Sequence, residues 1–251
     1  MKHIYAFESK KDFSNFQGII ERLTQNLLKF QYELEQNYAL RDLPKGIVWT
    51  SEELATTIFS QIPIPAFTNK DTIYISPDLS GWRKLLVSQL EGHENDHPSI
   101  KEFYENMSEN DLLTILGHEL AHHSNLFIDE FDDEREDSIW FEEGMCDYLA
   151  RKYLLNSVEF NKITEIESKM IEIFKTKYGN HSLDEFGKFS YQGGLTSIMF
   201  DYWRSFIAVK YLVEVRANND VMVVFDEYHK WDKEGRKLPL TQYFNIDSLF
   251  D

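Results

Sequence analysis

A single cysteine, Cys146, is all that the chain of 251 residues contains. An intrachain disulfide is therefore excluded, which fits a reducing compartment. Proline and glycine are sparse, at 6 and 11 residues, so collagen-like and linker-rich architectures are excluded too. Basic residues are in deficit. Against 43 Asp and Glu stand 26 Lys and Arg, a formal charge of −17. Phosphates repel such a surface, so no nucleic-acid partner is expected. Long apolar runs are also missing. The opening residues, Met1 to Glu8, hold no stretch of signal-peptide length, and Val221 to Phe225 falls far short of a membrane span. The expectation is a cytoplasmic protein with no membrane partner.

What is present is core material. Hydrophobic residues make up 42% of the chain and aromatic residues 15%, which excludes a mostly disordered chain. The length fits one large domain or two subdomains sharing a cleft. There are no internal repeats.

Strand signals come first. Ile4 to Phe7 and Gly46 to Thr50 read as strands, and residues 66–76 as a hairpin turning at Asn69-Lys70-Asp71. Between them, Phe13 to Tyr38 places Phe16, Ile19, Ile20, Leu23, Leu27, Leu28 and Leu34 near helical spacing. Ser51-Glu52-Glu53 reads as a helix start, and residues 91–98 as a polar loop. After about residue 100 the pattern turns helical. Ser108 and Asp111 make a capping box, and helices are expected near 139–155, 158–178, 192–217 and 219–231. The fold class expected is α+β, with residues 1–100 as a mixed subdomain and 101–251 as a helical subdomain of one domain.

The sharpest signal is His118-Glu119-Leu120-Ala121-His122. Positions four apart share a helix face, so both imidazoles can reach one metal ion, while Glu119 projects beside them as a general base. A hydrolytic zinc needs a third protein ligand and one open position. Trp140-Phe141-Glu142-Glu143-Gly144 offers Glu143 or Glu142. Asp147, four residues after Glu143, can bond the far nitrogen of either histidine and fix its tautomer. Glu142 instead has Cys146 at that offset.

These two segments resemble the gluzincin metallopeptidases, the group that includes thermolysin and the zinc aminopeptidases. The resemblance covers roughly residues 110–215. It implies a zincin-like fold with the metal in a cleft between a small N-terminal sheet region and a helical region. It implies one zinc ion held by His118, His122 and Glu143, with Glu119 as base, Asp147 behind the ligands, and a peptide or protein as substrate. The alternatives are a non-catalytic zinc-stabilised binding or regulatory module on that scaffold, or a metal hydrolase of a non-peptide amide or ester. It also implies an oxyanion donor, for which Tyr202, in Tyr202-Trp203-Arg204-Ser205, is the first candidate. Tyr191 with Gly194 gives a second register, and His181 is a third choice. Twenty residues separate His122 from Glu143, slightly more than in those relatives. No Gly-x-Met-Glu-Asn segment is present, so the amine recognition of the zinc aminopeptidases is not implied.

Other polar groups have plainer readings. His93 and His97 fall in a solvated loop. Asp129 to Asp137 holds seven acids, without the alternation or glycine of an EF-hand, and reads as a solvated loop on the cleft rim. Its charge would favour basic or neutral peptides. Cys146 reads as a buried thiol, and His123 as a residue turned away from the metal face. The strand at 72–76 reads either as an ordinary sheet strand or as an edge that pairs with an extended peptide.

Overall fold

The computed structural model describes residues 1–60, 62–129, 137–188 and 193–250. They form two compact units, residues 1–125 with 150–156, and residues 126–149 with 157–251.

In the first unit, β1 (Lys2–Ala6) is followed by α1 (Lys10–Asn37) and β2 (Gly46–Thr50). Ser9 caps α1 by accepting the Asp12 N–H, and Ile20, Leu23, Leu27, Phe30 and Leu34 form its buried stripe. A short turn, α2 (Glu52–Leu54), runs into a π-helical turn at Ala55–Phe59. The hairpin is β3 (Ala66–Asn69) and β4 (Thr72–Ile75), closed by Lys70 in the left-handed region at φ 52°. Then come α3 (Leu79–Ser88), α4 (Pro98–Glu105) and α5 (Glu109–Ala121).

The sheet order is β1-β2-β4-β3. β1, β2 and β4 are parallel, and β3 pairs antiparallel with β4. Parallel neighbours need a crossover, and α1 supplies one between β1 and β2. The α+β class holds, with one βαβ step inside it. β2 is buried throughout, as a central strand should be.

Three expectations need correction. The first strand is Lys2–Ala6 rather than Ile4 to Phe7, because its register is set by pairing with Gly46–Thr50. The strand at 72–76 is not an edge. β4 is flanked by β2 and β3, and the edge strands are β1 and, beside β4, β3. The loop at 91–98 ends sooner, since Pro98 takes the first position of α4, where its missing N–H costs nothing. α3 escapes the periodicity reading. It is fixed by the Asp78 cap and by Trp82, buried with its Nε1–H bonded to the Ser76 carbonyl at 2.8 Å.

The helix α6 (Ile139–Leu154) has its first eleven residues in the second unit and the rest in the first. The second unit adds α7 (Ser157–Tyr178), α8 (Leu195–Tyr211), α9 (Val221–Lys233) and α10 (Leu240–Tyr243). α8 stops before the expected 217 and continues as a π-helical turn, Leu212–Arg216. Asn218 and Asn219, both left-handed at φ 52° and 67°, then break the chain, and Asp220 caps α9. An aromatic core holds this unit. Phe141 stacks on Tyr228, with centroids 4.3 Å apart, and on Phe244 at 5.8 Å. Among the described residues no helix is long and apolar enough to cross a membrane.

Candidate metal centre

The histidine pair sits at the end of α5. The capping box at Ser108 starts this helix, and Leu112, Leu113, Leu116 and Leu120 bury it. Gly117 has a packing reason. A Cβ there would meet Leu154 Cδ1 at 2.7 Å and Phe30 Cε1 at 3.2 Å. The missing side chain thus lets α1 and the end of α6 close on the turn that carries His118.

The i, i+4 geometry does what the spacing predicts. The two Nε2 atoms lie 3.1 Å apart, with the rings edge to face. Two nitrogens sharing a tetrahedral zinc at about 2.0–2.1 Å would be separated by about 3.3 Å, so the pair is close to the edge of such a polyhedron. Glu143 completes the set. His118, His122 and Glu143 each offer one ligand atom, and these atoms lie within 4.8 Å of one another. Among the described residues this is the one such group, and it holds Glu143 rather than Glu142.

Packing explains where Glu143 sits on its helix. Trp140 and Phe141, just before it, are fully buried. Trp140 donates to Asp184 Oδ1 at 3.1 Å, and that same aspartate accepts from Thr241. Gly144, just after it, lies so close to Ser205 that a Cβ would collide with the Ser205 carbonyl oxygen.

The donor set can hold a metal ion. Two neutral imidazoles and a carboxylate suit a borderline cation such as zinc, and three protein ligands leave a position open. His118 and Glu143 are 7% and 9% exposed, so a divalent charge would also relieve a largely desolvated carboxylate.

Glu119 is buried at 6% exposure. Its Oε2 accepts a hydrogen bond from Thr68 Oγ1 at 2.8 Å. Thr68 lies on β3, and sequence reasoning missed it. Strand alternation gives its parity, since it pairs across from the buried Ile73. Nothing local says which helix residue that face meets. Nearby, burial and the adjacent His122 push the His123 imidazole down to about 4.

The remaining expected residues fall as follows. Asp147 lies one turn beyond Glu143 on α6 and is half-buried. Tyr202, on α8, packs edge-on against Phe186 with centroids 5.1 Å apart. Tyr191 lies outside the described residues. His181 is not part of the three-ligand group. Its Nε2 is 2.9 Å from Asp201 Oδ2 and 3.0 Å from Arg204 Nη2, in a cluster whose Asp201 and Arg204 are buried. Cys146 is buried, as expected.

The acidic segment departs from a simple solvated loop at both ends. Asp129 and Asp137 each pair with Arg236, at 2.6 and 3.4 Å, and Arg236 also holds Asp232 at 2.8 Å. Residues 130–136 lie outside the described residues. His93 and His97 have ring centroids 6.4 Å apart, with His93 Nδ1 3.7 Å from Asp96.

No protein-family model, no curated protein and no solved structure matches this chain.

Proposed function

We propose that the protein is a zinc-dependent peptidase in which His118, His122 and Glu143 hold the ion and Glu119 is the general base. The observation that carries this reading is the convergence of the three ligand atoms to within 4.8 Å of one another. Glu119, on the same helical turn as the histidines, adds the group that a purely structural zinc site does not need.

A zinc ion bound there supplies Lewis-acid chemistry, polarising a carbonyl and lowering the pKa of water toward about 7. Glu119 takes the proton of the attacking water and passes it to the leaving amine. Thr68 keeps the Glu119 carboxylate from swinging freely. Tyr202 and His181 are the described candidates for donating to the tetrahedral oxyanion, and Tyr191 is the third. Asp147 is the candidate partner for the far nitrogen of a ligand imidazole.

The sheet edge supports a peptide as substrate. Asn69 and Thr72 close a two-residue turn, and Ser76 N–H bonds the Pro65 carbonyl at 2.8 Å. The alternation of an antiparallel ladder then leaves the main-chain N–H and C=O groups of Ala66 and Thr68 pointing away from β4. An extended substrate backbone adding to β3 would pair with these groups, on the strand whose Thr68 hydroxyl reaches Glu119. This replaces 72–76 as the strand proposed to receive a peptide.

Metal analysis together with a peptide-library cleavage assay tests the reading. One zinc per chain and cleavage are expected. Glu119→Gln should keep the metal and lose activity by about 10² to 10⁴-fold. Metal binding with no cleavage of any peptide, or a fully active Glu119→Gln, would overturn it.

A further inference from the structure

We propose that Thr68 is a positioning residue, whose hydroxyl sets the direction of the Glu119 carboxylate. The inference rests on Glu119 acting beside a metal ion, as argued above, but it concerns a residue on another element.

Thr68 Oγ1 has two acceptors within reach on one residue. Glu119 Oε2 is at 2.8 Å and the Glu119 main-chain carbonyl at 3.1 Å. A threonine hydroxyl has one proton to give. The carbonyl lies in the last turn of α5, where helical carbonyls lose their intrahelical donors. A helix-capping role for Thr68 is therefore the competing one. The carboxylate oxygen is the nearer of the two acceptors, at 2.8 Å against 3.1 Å for the carbonyl.

The mounting is rigid at both ends. Threonine is β-branched, so its χ1 is restricted, and β3 is fixed in register by β4. Glu119 rises from a buried helix and is itself 6% exposed. A glutamate side chain has three rotatable bonds. Tying Oε2 to the sheet removes most of that freedom and presets the face that the other oxygen presents. β3 thereby links two features of the site, the edge that would receive an extended backbone and the base that would act on it.

The test needs a readout that does not depend on peptide hydrolysis. Cobalt(II)-loaded protein titrated with acetohydroxamate and followed by visible absorption provides one. The hydroxamate chelates the metal through its two oxygens and offers a proton to a carboxylate held alongside. Thr68→Val, which keeps shape and strand propensity, should weaken acetohydroxamate binding by about tenfold or more. Thr68→Ser should stay within about threefold of wild type, since it keeps the hydroxyl. In a Glu119→Ala background, Thr68→Val should cause no further loss. On a cleaved peptide, Thr68→Val should lower kcat by about tenfold or more with KM within about twofold.

Unchanged acetohydroxamate affinity in Thr68→Val would overturn the proposal. So would a Thr68→Ser variant as weak as Thr68→Val, or a full additional loss in the Glu119→Ala background, as a capping role predicts. Should Thr68→Val fail to fold, Thr68→Ala is read by the same criteria. A wild type that binds cobalt and acetohydroxamate with the expected Thr68 dependence, yet cleaves no peptide, sinks the peptidase reading and leaves the Thr68 assignment standing. A wild type that takes up no cobalt overturns both.

Discussion

Gly144 stands against Ser205 with no room for a side chain, because a Cβ would run into the Ser205 carbonyl oxygen. Backbone is the obstacle, so relief requires moving α6 from α8. Gly144→Ala should therefore destabilise the fold by about 1–3 kcal/mol, as overpacking does. It should also weaken metal binding, since Glu143 is the preceding residue. Gly117→Ala should cost less, because its nearest obstacle, Leu154 Cδ1 at 2.7 Å, ends a flexible side chain. Thermal melts with metal titrations check the order. Equal losses at the two glycines would contradict it.

Removing the metal should lower stability. Three ligands that converge only in the folded chain make binding energy part of folding energy. Chelation should lower Tm in the wild type and leave it unchanged in His122→Ala. Ligands must be deprotonated to bind, so metal affinity should fall as pH is lowered. Isothermal titration across pH measures this. An affinity independent of pH would argue against histidine ligands.

Arg236 holds three aspartates, Asp129, Asp137 and Asp232. Asp129 is the most buried of them. Arg236→Met should destabilise by about 2–4 kcal/mol, because it leaves carboxylates together without their cation. Burial holds the Asp137 carboxyl above its ordinary value. A raised carboxyl pKa means the fold favours the protonated form. That contribution is complete below the unfolded pKa and is lost as pH rises through the folded one. The Arg236→Met deficit should therefore shrink as pH falls from neutral toward 4. Denaturant melts at several pH values test this, and a deficit that grows in acid would refute it.

If the peptidase reading holds, the net charge of −17 should influence substrate choice. Basic peptides should show higher kcat/KM than acidic ones of equal length, and the advantage should fall with added salt. A preference that survives high salt would place its origin in contacts rather than in the field.

Legibility varied with the range of the interaction. The α1 stripe, the Ser108 capping box, the hairpin at 66–76 and the helices at 139–154 and 157–178 were readable because each is a local pattern. The first strand starts two residues earlier and ends one earlier than its own residues suggest, since its ends are set by pairing with β2. The preference for Glu143 over Glu142 is legible in Gly144 and in Asp147 four residues on, and the three-ligand group holds Glu143. The acidic run looked like a solvated loop because Arg236, about a hundred positions on, leaves no mark near it.

By itself, the sequence determined the histidine pair. Four residues of helix put two imidazoles on one face whatever the rest of the chain does, and their Nε2 atoms indeed meet at 3.1 Å. Only the tertiary structure decided what meets that pair. It brought Glu143 to the histidines, made β3 rather than β4 an edge of the sheet, and set Thr68 against Glu119. Helical spacing is a property of the backbone and acts between neighbours. Which strand lies outermost and which side chains converge depend on burying the whole apolar surface at once, and no short window of residues contains that information.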